Sequence, residues 1–95
     1  MKRTECLESA AQIVTGQRED TYGGPEDSFL KIARLWSAYL ENMGVNALLL
    51  PHDVALMMDL MKTARLQADA DYKDGWIDKA GYAACGCEIA TEGKP

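Results

Sequence analysis

Residues 74 to 88 read DGWIDKAGYAACGCE, and on a helix Asp74, Asp78, Gly81, Cys85 and Glu88 fall along one side. Their spacing of i, i+4, i+7, i+11 and i+14 does this at about 100° per residue. Carboxylates one turn apart offer the oxygen ligands that a hard cation takes. Asp74 and Asp78 are thus the candidate metal ligands, with Mg²⁺ the candidate cofactor. The same stripe also fits a solvated acidic face beside tight helix packing. Gly81 and Gly86 bear on that choice, because each costs about 1 kcal/mol against alanine inside a helix. Something should approach the backbone closely there, either a helix or a ligand.

Cations that could answer these carboxylates lie in DLMKTAR, where Asp59, Lys62 and Arg65 are spaced i, i+3, i+6. Arg65 borders an apolar stripe, so it is expected to point into the fold. A partly buried arginine needs an acceptor, for which Asp78 is the natural partner. In the alternative, Lys62 and Arg65 hold phosphate oxygens while the carboxylates hold a metal bound to them. The segment REDTYGGP adds Arg18 and Tyr22. A tyrosine next to two glycines can stack on a planar ring or plug the end of a bundle. His52 is the single histidine, so no second imidazole completes a transition-metal site. No Ser-His-Asp or Cys-His set can be assembled.

The elements that must position these groups read as four helices with no strand. The first spans about 4 to 15, with Leu7, Ala10, Ala11 and Val14 in phase and Gly16 as the stop. The second spans about 25 to 43, opened by Pro25 with Glu26 and Asp27 and closed by Gly44. The third, about 51 to 70, starts at Pro51 and is expected to bury Val54, Met57, Met58, Met61, Ala64 and Ala68. Leu56 and Leu60 widen that stripe and imply contacts on two sides. The fourth, about 75 to 91, is expected to pack through Trp76, Ala80, Ala83, Ala84 and Cys87. This is a small all-α antiparallel bundle, a single domain over residues 1 to 95 with frayed ends at 1–3 and 92–95. Its wide apolar arcs predict a homo-oligomer.

The 95 residues carry a net charge of −5 and a pI near 4.7, which disfavours duplex nucleic acid and suits docking on a basic protein. No apolar run approaches the ~18 residues of a membrane span, and the N-terminus lacks the apolar region of a secretory signal. A cytoplasmic protein is expected. Cys6, Cys85 and Cys87 are an odd set. The last two point about 200° apart on a helix, which suits neither a zinc site nor a redox pair.

The blocks YGGPEDSF, IARLW, HDVALMMDLMKTAR and DGWIDKAGYAA, spread over about residues 18 to 90, resemble a family of small uncharacterised phage and prophage proteins. More distantly, DGWIDKAGYAACGCEIA is similar to the second metal-binding helix of the all-α MazG-type nucleoside triphosphate pyrophosphohydrolases. Asp78 would be the matching aspartate. Gly75 stands where that pattern has Glu, and no EExxE helix is present. The leading expectation is a nucleotide or nucleotide-like phosphorylated ligand, held by Arg18, Tyr22, Lys62 and Arg65. If the protein is an enzyme, the resemblance implies Mg²⁺-dependent cleavage of a phosphoanhydride. The competing expectation is a non-catalytic phage protein that blocks a host defence or replication factor, or sequesters a nucleotide signal.

Overall fold

The structure is a computed structural model that describes residues 1–16 and 24–92. Four helices account for most of these residues, with no strand among them: α1 (Arg3–Thr15), α2 (Pro25–Asn42), α3 (Pro51–Ala68) and α4 (Lys73–Glu92). No helix in the described residues is long and apolar enough to cross a membrane.

Local chemistry sets the helix ends. Proline opens α2 and α3, where its missing N–H removes a donor that would have no helical acceptor. At the start of α3, Asp53 Oδ2 accepts the Leu50 N–H at 2.8 Å, holding the chain that enters the helix. Helix α2 stops at Gly44, which has φ of 84°. Gly44 N–H then donates to Glu41 O and Val45 N–H to Leu40 O, a Schellman closure that only a left-handed residue permits. Ser37 Oγ accepts the Leu49 N–H at 2.9 Å, tying the connector back onto α2. Between α3 and α4, Asp69 turns the chain by accepting the Asp71 N–H. Trp76 Nε1 donates to Ala70 O across that turn.

Helices α3 and α4 form the central antiparallel hairpin and share the largest contact in the fold. Their register is visible in a descending ladder. Leu66 meets Gly75, Lys62 meets Asp78, Asp59 meets Lys79 and Ala55 meets Gly86. Helix α1 packs on α4, while α2 packs mainly on α3 and touches α4 less. The buried apolar residues are Ala10, Ala33, Val54, Ala55, Leu66, Ile77 and Ile89. Most are small, so the helices lie close and the core is thin.

Two expectations about facing are corrected. Helix α4 does not pack through Trp76, Ala83, Ala84 and Cys87, all of which are exposed. It turns in Gly75, Ile77, Gly81 and Ile89 instead. A Cβ on Gly81 would lie 3.3 Å from Val14 Cγ1, and one on Gly75 only 2.8 Å from Leu66 Cδ2. Close approach at the glycines therefore outweighs the larger residues on the other side. Helix α3 is likewise rotated from expectation. Val54 is buried as expected, but Ala55, Lys62 and Leu66 join it, whereas Met57, Met61, Ala64 and Ala68 are exposed.

Candidate functional site: a pocket over helix four

Rotating α3 places Lys62, not Arg65, on the side that faces α4. Lys62 Nζ lies 2.8 Å from Asp78 Oδ2, with side-chain exposures of 9% for the lysine and 27% for the aspartate. A buried ammonium is tolerable because an anion neutralises it and its methylene stem packs as apolar surface. One position along, the polarity reverses. Lys79 Nζ of α4 donates to Asp59 Oδ2 at 3.0 Å and to Thr63 Oγ1 at 2.6 Å on α3. Each helix thus supplies one cation and one anion, and a slip in register would set like charges against each other. These pairs hold the wall from which Asp78 projects.

That wall closes one side of a pocket of about 460 Å³ between α1, α2 and α4. Ile13 and Val14 come from α1, Ser28, Phe29 and Ile32 from α2, and Met58 from α3. From α4 come Ile77, Asp78, Gly81, Tyr82 and Cys85. The Phe29 and Tyr82 rings are tilted by 40° with centroids 6.4 Å apart. Asp78 is the only formally charged residue in the lining among the described residues. Its Oδ2 is held by Lys62, while Oδ1 has no hydrogen-bond partner among the described residues. The volume falls within the ~300–1,000 Å³ typical of small-molecule sites, which are mostly apolar with a few fixed polar groups.

The candidate residues from sequence separate in space. Lys62 and Asp78 come together as a pair. Arg65 is exposed in the last turn of α3, where a cation complements the carbonyl end of the helix, and it does not join them. Asp74 is exposed in the first turn of α4. Arg18 and Tyr22 lie outside the described residues. No group of three or more His, Cys, Asp or Glu side chains capable of holding a metal occurs among the described residues. Asp78 is paired with Lys62, and Asp74 lies one turn earlier on the same helix, exposed, so the described residues offer Mg²⁺ at most two of the several oxygens it takes. Sequence reasoning missed Phe29, Met58 and Tyr82 as pocket residues, and Lys79 as the partner of Asp59. The one available signal was the reversed charge order, Asp59–Lys62 on α3 against Asp78–Lys79 on α4.

With this geometry established, comparison with known proteins places the chain. A family model described as a domain of unknown function, DUF6378, matches residues 5–90, running from α1 nearly to the end of α4. The chain belongs to the DUF6378 family. It is similar to the Gene 55 protein of Mycobacterium phage D29, at 39% identity over 92 residues. That match covers 94% of this chain and 58% of the phage protein. The Gene 55 protein of Mycobacterium phage L5 is 42% identical over 77 residues, covering 81% of this chain and 47% of its own length. The chain therefore spans about half the length of these phage relatives. No solved structure matches it.

Proposed function

We propose that this DUF6378 chain binds a nucleotide or nucleotide-like molecule through its base, in the pocket between α1, α2 and α4. The observation that carries this reading is Asp78. Its carboxylate stands in a largely apolar wall, with one oxygen held by Lys62 and the other available as an acceptor. A fixed acceptor beside aromatic rings is suited to a planar heterocycle with an amino donor, such as adenine, cytosine or guanine. Stacking of a base on an aromatic side chain contributes about 1–3 kcal/mol, and Phe29 and Tyr82 are the rings at hand. The resemblance of α4 to a MazG-type helix supports a nucleotide as the ligand class. In that pattern Asp78 would serve a metal. Here Lys62 already neutralises it, which favours a role toward the base, and no hydrolytic step is derived. The reading does not depend on Arg18, Tyr22 or Arg65. The interaction-protein reading draws on the net charge of −5, which names no partner, so the pocket takes precedence.

The test is a thermal-shift and calorimetric panel of free nucleosides and their phosphates, with and without Mg²⁺. Ligand at about 100 times its Kd should add ~2.7 kcal/mol of stability. At least one amino-bearing nucleoside is expected to produce a shift without metal, and Phe29→Ala should weaken it. If no nucleoside or nucleotide shifts the melting temperature, the proposal fails. Binding that requires both phosphate and Mg²⁺ and ignores the base would restore the metal-dependent alternative.

A further inference from the structure

The side of α3 turned away from α4 carries Leu56, Met57, Leu60, Met61 and Ala64, all exposed. At 100° per residue they occupy an arc of about 140° on the side opposite Ala55, Lys62 and Leu66. Leu56 and Leu60 are exposed at 61% and 64%. A helix with apolar residues on both sides is ordinarily covered on both. Within the described residues, α4 and α2 cover only the inner one.

The missing cover can be sized. The chain presents 6941 Å² of accessible surface, against roughly 5,400 Å² for a compact monomer of this mass, an excess of about 1,500 Å². Its radius of gyration is 14.4 Å, against about 12.4 Å for a compact chain of this length. A stable interface takes about 800 Å² from each partner, which is less than this excess over the whole chain. The arc is also free of charge between Asp53 at one end and Gln67 at the other. It offers nothing to a phosphate backbone, and with a net charge of −5 the chain is poorly suited to an anionic lipid surface. An uncharged leucine–methionine face is complementary to itself. A two-fold axis lets the same patch serve both partners, and the chain itself supplies that patch at equal concentration.

We propose that two copies of this chain associate face to face through the outer side of α3, with Leu60 near the two-fold axis. The pairing face and the pocket share no residue, since α3 lines the pocket only through Met58. The inference thus stands apart from the ligand reading. Light scattering at micromolar concentration should give twice the 10.4 kDa chain mass, with a melting temperature that rises with protein concentration. Leu60→Glu should halve the mass while circular dichroism stays helical. Should that variant not fold, the milder Leu60→Gln is expected to weaken association and flatten the concentration dependence. A wild-type monomer with a concentration-independent melting temperature would overturn the proposal. So would a dimer that neither Leu60 variant weakens, since the interface would then lie elsewhere.

Discussion

Removing the Asp78 carboxylate is the sharpest test of the site's electrostatics. Lys62 is nine-tenths buried and Asp78 is its only ion-pair partner among the described residues, since the nearby Asp59 is engaged by Lys79. Asp78→Ala strands an ammonium in the hairpin. Breaking a fully buried pair from one side costs ~3–5 kcal/mol. Asp78 retains about a quarter of its side-chain exposure, so water can enter and the low end, about 3 kcal/mol, is expected. A domain of this length has a total stability of only ~5–14 kcal/mol, so the loss should be plain in urea unfolding. The structure also sets an order between the two halves of the pair. Lys62→Met should cost less than Asp78→Ala, because the aspartate left behind can still reach water while the lysine cannot. The double variant should be more stable than Asp78→Ala alone, since the stranded charge has gone and methionine fills the stem's volume. Asp78→Ala within ~0.5 kcal/mol of wild type would place that carboxylate among inert surface groups. A greater loss from Lys62→Met than from Asp78→Ala would reverse the burial argument. Either result refutes the reasoning.

Two substitutions at glycine separate steric from conformational demands. Gly75→Ala sets a methyl 2.8 Å from Leu66 Cδ2 and should destabilise by about 1–2 kcal/mol, with partial recovery in Gly75→Ala/Leu66→Val by thermal denaturation. Gly44→Ala meets nothing within 4 Å but must hold φ of 84°, so it should cost about 1–2 kcal/mol through the backbone alone. Shortening neighbouring side chains should not rescue it in the same melts.

The four helices were legible because the chain punctuates itself. Pro25 and Pro51 begin helices, while Gly16 and Gly44 end them, and the expected limits fall within two residues of those observed. These are local effects of a missing N–H and a missing Cβ, and they act wherever the segment sits. The need for close packing along α4 was legible as well, since glycines inside a helix cost stability unless a neighbour uses the space. Facing was not. Helix α4 has apolar residues on both sides, and its alanines weigh little, so periodicity alone does not choose between them. The choice falls to contact: Leu66 approaches Gly75 more closely than a side chain there would allow, and Ala55 and Val14 leave only tight space at Gly86 and Gly81. That same rotation brings Lys62 to Asp78 and leaves Arg65 outside, although both cations sit on one helix three residues apart. Residue types thus determined that carboxylates and cations would meet between α3 and α4. The depth to which the helices interlock decided which of them did, because burial and charge pairing are properties of the assembled interface.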